Sequence, residues 1–313
     1  IHVDANKNIV YRLRPRENPQ AQGWYMCDDG RFGFHYINSE HRFIRPLARG
    51  EGGLKPTAWE QVLPELRQKF KDAVKQDGSS VVGVLSPFLT CEEAYLLAKY
   101  FKGQSGEVRL ALGPVPVVGE DDVYPKDRKG RAVPLPEAKF IIHAEKCPNR
   151  KGVEEILRHF QGEVVRFDEV QRWVGAGRVK ALYLAGGYPP RPNGWIGGEA
   201  AKTLEKVPLL VVHDLLPSPV SEVAHYIIPA ASFAEKDGVF VNHAQLGQEI
   251  RRAIRPPGEV RADGQVFLDL MERRGLVHAP TIRAELAKEV PYFGALASEP
   301  GEHGVALASA ERA

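Results

Sequence analysis

Val81-Val82-Gly83-Val84-Leu85 runs without a polar break into Ser86-Pro87-Phe88-Leu89-Thr90, and Cys91-Glu92-Glu93-Ala94-Tyr95 follows. An unbroken apolar run of this length suits a strand covered on both faces, as in a parallel sheet flanked by helices. Thr90 is a good helix N-cap, so a helix is expected from Thr90 to Tyr100. Val108 to Leu112 returns to strand. One strand–helix–strand unit is thus legible in about 30 residues.

Outward from that unit the alternation continues. Upstream, Thr57 can cap a helix from about Ala58 to Gln76, with Trp59, Val62, Leu63, Leu66 and Phe70 on one stripe. Downstream, Gly113 to Pro136 is a Pro- and charge-rich excursion, then Phe140-Ile141-Ile142 reads as strand, Gly152 to Phe160 as helix and Glu163-Val164-Val165 as strand. Asp168 opens a helix, Ala181 to Ala185 is strand, Glu199 to Glu205 helix, and Pro208 to Val212 the strongest strand signal of all. This order predicts an α/β fold with a doubly wound, mainly parallel sheet over residues 54–296. A small β-rich unit, 1–53, precedes it: His2 to Leu13 reads as two strands around an Asn-rich turn, and Arg49-Gly50-Glu51-Gly52-Gly53 reads as the link. Residues 297–313, rich in Ala, Gly and Glu, read as a flexible tail.

The 313 residues are 43% hydrophobic with a formal charge of +2, which is ordinary globular material. Near-neutral charge points away from nucleic acid, and no apolar run approaches the roughly 20 residues that span a bilayer. Three scattered cysteines, Cys27, Cys91 and Cys147, argue against a disulfide framework and for a reducing, cytoplasmic setting. Cys91 and Cys147 read as structural thiols at helix starts, and the ten histidines do not cluster: His35, His41, His143, His159 and His243 are scattered among apolar neighbours or loops and read as packed or solvated residues, not as ligands. No G-x-G-x-x-G follows the first strand, and neither a P-loop nor a Ser-His-Asp order is present.

Chemistry concentrates in three blocks. The first is Trp24-Tyr25-Met26-Cys27-Asp28-Asp29-Gly30-Arg31-Phe32-Gly33, followed by Arg42, Arg45-Pro46-Leu47 and Trp59-Glu60. The second is Leu184-Ala185-Gly186-Gly187-Tyr188-Pro189-Pro190. The third runs from Leu209-Leu210-Val211-Val212-His213-Asp214 through Ser221 to Ala230, then Glu235-Lys236-Asp237-Gly238-Val239-Phe240-Val241-Asn242 and Gln248. Asp214 ends a strand at the carboxyl edge, where open α/β sheets place ligands. Gly238 permits a positive φ in a hairpin, and Asn242 can satisfy loop backbone.

In order and spacing these blocks resemble the molybdopterin oxidoreductase superfamily, and most closely its branch in the large iron–sulfur subunit of NADH–quinone oxidoreductase, respiratory complex I. The resemblance implies a degenerate molybdopterin-oxidoreductase fold with residues 1–53 as the remnant of a [4Fe-4S] subdomain. It implies that Cys27 is a metal ligand, the last of four, the earlier C-x2-C-x3-C triad falling before Ile1. One thiolate cannot hold a four-iron cluster, so the cluster belongs to a longer parent. Gly186, Gly187, Asp214 and Asn242 then mark a degenerate cofactor-binding edge. Where catalytic members carry Lys between cluster and molybdenum, this chain has Asp29, and His225 replaces the family's Asp. These departures, and the missing C-terminal β-barrel, argue against molybdopterin. The chain is then expected to have no complete active site of its own. It would serve as a scaffold among other subunits of a membrane-associated complex that passes electrons from NADH to quinone, peripheral to the inner membrane through those partners. Two alternatives stand beside this: a piece of a formate dehydrogenase-like molybdopterin enzyme, and an interaction module without a redox part.

Overall fold

A computed structural model describes residues 1–191 and 194–307. The chain opens with a hairpin, β1 (His2–Asn6) and β2 (Ile9–Arg14), then a short helix α1 (Asp28–Phe32). A second hairpin, β3 (Leu47–Gly50) and β4 (Gly53–Pro56), leads into α2 (Trp59–Asp77), β5 (Val81–Leu85), α3 (Cys91–Gln104) and β6 (Arg109–Leu112). A third hairpin, β7 (Asp122–Tyr124) and β8 (Phe140–Ile142), precedes α4 (Arg150–Gln161) and α5 (Phe167–Gly175). The chain then alternates through β9 (Ala181–Ala185), α6 (Gly198–Leu204), β10 (Leu209–Asp214), α7 (Pro219–Val223) and β11 (Tyr226–Pro229). It closes with β12 (Gly238–Val241), β13 (Leu246–Ile250), α8 (Asp263–Leu270), α9 (Ala279–Glu289) and β14 (Val305–Ala306).

The expected α/β sheet is present. Seven strands lie in the order β4-β3-β11-β10-β9-β5-β6, and the five from β11 to β6 are mutually parallel. β6 lies on one side of β5, and β9, β10 and β11 follow on the other. The winding therefore reverses between β5 and β9, which opens a crevice at their carboxyl ends. β5 and β9 are buried along their whole length, as two covered faces require. One face carries α2, α3, α4, α8 and α9 around Phe70, Phe101, Tyr183 and Phe267, and the other carries α5, α6 and α7 around Val82, Leu184 and Val212. The expected α2 stripe is buried at all five positions, and Thr90 and Glu93 form a reciprocal capping box on α3.

Several segments differ from the sequence expectation. Residues 47–56 form a hairpin, not a link: β3 pairs antiparallel with β11, so the hairpin straddles residue 53 and belongs to the main sheet. Thr57 caps nothing. Its N–H is held by Pro46, and α2 starts after Ala58 without a side-chain cap. β8 is a strand, but it pairs with β7 in a separate two-stranded sheet. Residues 163–165 are not a strand; a single bridge from Arg166 to Leu112 touches the β6 edge. In the stretch read as a tail, β14 pairs with β13, while residues 308–313 lie outside the described residues. Gly238 opens β12 with φ +157°, whereas the β12–β13 turn is closed by Asn242 and by Gln245 at φ +62°.

Buried ion pairs hold these layers in register. Arg42 makes a bidentate pair with Glu235 and also donates to the Ile37 and Ala230 carbonyls, fastening the N-terminal unit to the loop after β11. Lys236 donates to Glu93 at 2.7 Å and to Asp263 at 2.9 Å. Glu92 accepts from the Val239 N–H at 2.9 Å, yet its Oε1 has no hydrogen-bond partner and Arg283 stays 4.0 Å away. Burial therefore pushes its carboxyl up to about 7. A carboxyl raised on folding favours the folded state when protonated, and that contribution fades as pH climbs from about 4.5 to 7. Glu92→Gln should gain on the parent chain over that window, by about 3 kcal/mol at the top of it. Urea denaturation at pH 5 and pH 8 measures the difference; a gap that does not change with pH would refute the assignment.

Candidate functional site

The crevice at the carboxyl ends of β5 and β9 widens into a cleft of about 1890 Å³. Among the parts of the chain that wall it are the α1 turn with Met26, Cys27 and Gly30, the strand-end loops with Phe88 and Gly187, the segment His143 to Pro148, and the β12–β13 hairpin with Asn242 and His243. Segments far apart in sequence thus face one space.

Cys27 is the N-cap residue of α1 and is half-buried on the cleft wall. Its side chain makes no capping bond. A Cβ added at Gly30 would stand 3.7 Å from Cys27 Sγ, so the glycine leaves one side of the sulfur uncovered. Asp29, read as a replacement for a cation, forms an ion pair with Lys146 at 3.2 Å. Positive charge does stand beside this turn, supplied from another segment. Among the described residues no group of three or more His, Cys, Asp or Glu side chains is placed to hold a metal ion. A four-iron cluster therefore does not fit on these residues alone, since each iron needs its own protein ligand.

The other positions are largely spent on structure. Asp214 is fully buried: it accepts from Gly187 N–H at 3.0 Å, Leu215 N–H at 2.8 Å and Trp195 Nε1–H at 2.6 Å. Burial pushes its carboxyl up to about 6, although these three donors favour the charged form. Gly186 lies behind the cleft wall, where a Cβ would meet Asp214 Cγ at 2.8 Å and the His213 carbonyl at 2.9 Å. Gly187 turns the chain with φ +82° and does line the cleft. Beyond it Tyr188 stacks on Trp195 at 4.2 Å and donates to the Pro114 carbonyl, closing the loop on itself. Asn242 uses its side-chain oxygen on the Ala244 and Leu246 N–H groups and so shapes the hairpin turn. The structure thus brings Cys27, Gly187 and Asn242 to one cleft and keeps Gly186 and Asp214 out of it.

The thiols at the helix starts are structural. Cys91 is buried, donates to Asn149 and has its thiol pushed up by burial, not lowered by α3. Cys147 lies in the cleft wall beside Glu145, and burial pushes its thiol up as well. The histidines depart from the sequence expectation. His143 and His243, 100 residues apart, meet with Nε2 atoms 3.1 Å apart, and Asp121 lies 3.0 Å from His143 Nδ1. Each histidine follows a strand end, and no spacing rule could have joined them.

Residues 161–273, from the end of α4 to just beyond α8, match the family described as Molybdopterin oxidoreductase. The alpha subunit of NADPH-Fe(3+) oxidoreductase from Geobacter sulfurreducens (strain DL-1 / KN400) is 33% identical over 143 residues, which are 42% of this chain and 17% of that protein. The alpha subunit of F420-dependent formate dehydrogenase 2 from Methanococcus maripaludis is 30% identical over 128 residues, 39% of this chain and 19% of that protein. The matches thus span less than a fifth of these relatives' length. Among solved structures, acetylene hydratase from Pelobacter acetylenicus superposes with a TM-score of 0.49 at 13% identity, covering 82% of this chain and 65% of that one. No helix among the described residues is long and apolar enough to cross a membrane. The likeness to the Molybdopterin oxidoreductase family thus lies in residues 161–273, about a third of the chain.

Proposed function

We propose that this chain is the scaffold portion of an iron–sulfur oxidoreductase subunit, in which Cys27 supplies one thiolate of a [4Fe-4S] cluster and the other three come from outside these 313 residues. The observation that carries this reading is the contrast between the marked positions. Cys27 stands on the cleft wall with its sulfur partly uncovered, while Asp214 and Asn242 are consumed by their own loops. A chain arranged this way supports a redox centre better than it grips a nucleotide. The narrower form of the proposal is a subunit of the NADH–quinone oxidoreductase type, held on the cytoplasmic side of the inner membrane by partner subunits. The blocks Glu235-Lys236-Asp237-Gly238 and Asn242 to Gln248 support that branch.

A second reading has its own observation. The cleft is large enough for a dinucleotide-sized group, and relatives bear the names of a formate dehydrogenase and an NADPH-Fe(3+) oxidoreductase. On this reading the chain is part of a catalytic molybdopterin subunit. Metal analysis of the longest polypeptide that contains this chain separates the two. The scaffold reading expects iron without molybdenum, and about four irons per chain lost, with their low-temperature EPR signal, in Cys27→Ala. Stoichiometric molybdenum would favour the catalytic reading. Iron content unchanged by Cys27→Ala would remove the ligand assignment.

A further inference from the structure

The segment after the last helical turn, Pro291–Ala297, runs along the cleft between two firm anchors. Upstream, Tyr292, Phe293 and Leu296 pack into the main core. Downstream, β14 pairs with β13, Leu307 is buried in the same core, and its N–H reaches the Gln245 carbonyl at 2.9 Å. Gly304 fits there only without a side chain, since a Cβ would meet the Gly247 carbonyl at 2.6 Å. Between the anchors, Glu299, Pro300, Gly301 and Glu302 line the cleft.

This middle part is held in another way. Toward the β12–β13 hairpin, Glu299 pairs with Arg251 at 2.8 Å. Toward the N-terminal unit, Arg16 donates to both the carboxylate and the carbonyl of Glu302, and Asn18 Nδ2 donates to the His303 carbonyl at 3.1 Å. Asn18 is set to receive it: the residue is buried, its Oδ1 takes the Gln20 N–H, and its carbonyl takes the Ala21 and Gly23 N–H groups. The ends are thus fixed by buried apolar side chains and a strand pair, while the middle rests on charged groups in water. The Glu302 side chain is 74% exposed and that of Glu299 66%. Ion pairs so placed contribute little and are screened by salt.

We propose that residues 298–303 form a strap that gates the cleft, latched to the N-terminal unit by Arg16 and Asn18. Closed, it ties that unit to the hairpin. Released, it swings out between Ala297 and Gly304 while both anchors stay packed, and bulky groups can then reach the wall that carries Cys27. The assignment does not depend on whether Cys27 holds a cluster.

Two readouts on the full 313-residue chain test it. Cleavage after Glu302 by a glutamate-specific protease should rise about 3- to 5-fold in Arg16→Ala, the scale of one lost surface ion pair with its hydrogen bonds. Alkylation of Cys27, located by peptide mapping, should rise to a similar extent with fluorescein maleimide and much less with iodoacetamide. Parent chain in about 1 M NaCl should move the same way without any substitution. Arg12→Ala, which removes an exposed arginine paired with Asp4, should change neither readout. Parent-like cleavage after Glu302 in both Arg16→Ala and high salt would remove the latch. Faster cleavage with unchanged fluorescein maleimide labelling of Cys27 would remove the gate.

Discussion

Lys236→Met should cost about 3–5 kcal/mol of folding stability at pH 7, read from urea denaturation, because it strips the cation from two buried carboxylates. Burial works to discharge the Lys236 ammonium, but Asp263 and Glu93 outweigh it and hold its pKa above the usual range. Asp263 is bound into more than this pair. Its Oδ1 accepts from the Ala231 N–H at 2.9 Å and lies 3.2 Å from His213 Nε2, while His213 Nδ1 lies 2.9 Å from the Tyr183 hydroxyl. Burial alone would raise Asp263, but Lys236 and His213 outweigh it and keep it ionised. Without Lys236 the loop after β11, α3 and α8 lose their common anchor. The deficit should shrink at pH 5, where the orphaned carboxyls can take up protons. A loss below about 1 kcal/mol at pH 7 would mean that the pair contributes little net stability.

Gly238→Ala should be comparably damaging, by about 3–5 kcal/mol, since two costs coincide. At φ +157° the backbone is strained for any L side chain. The new methyl would also lie 2.6 Å from Thr90 Cβ and 2.8 Å from Glu92 Oε2, on residues buried at the start of α3. Neither neighbour is a flexible tip: Thr90 is locked in the capping box and Glu92 holds the Val239 N–H. The expected readout is a fall of many degrees in melting temperature. A change of a degree or two would show that β12 can slide away from α3.

These two sites explain why the Glu235-Lys236-Asp237-Gly238 block stands out in the sequence. Glu235 answers Arg42, Lys236 answers Glu93 and Asp263, and Gly238 makes room for Thr90. The block is a junction between three parts of the fold, and its residue types follow from that without any ligand. The parallel core is legible for a similar reason: β5, β9 and the first four residues of β10 are covered on both faces and read as unbroken apolar runs. The β3–β4 hairpin is not, because it lies at an edge and its turn glycines read as a linker. Residues 163–165 have the composition of a strand but meet β6 through one bridge only, since α5 begins at once.

The cleft is half legible. Asp214 does stand at the carboxyl end of β10, yet sequence carries no sign of which way a carboxylate points, and here it points into its own loop. Cys27 stands out through its neighbours in the chain. His143 and His243 are invisible, because their meeting depends on how a hairpin from one half of the chain folds over a turn from the other.

The β3–β4 hairpin has one further effect. A parallel sheet ending at β11 would expose a row of free peptide groups to any passing strand. β3 occupies that row, and the new rim is β4, four residues long, with the exposed Lys55 and Pro56 on it. A short strand bearing a lysine and a proline is a poor template for edge-to-edge growth. This rim of the sheet is thereby guarded against aggregation by a short stretch that reads, letter by letter, as nothing more than a tether.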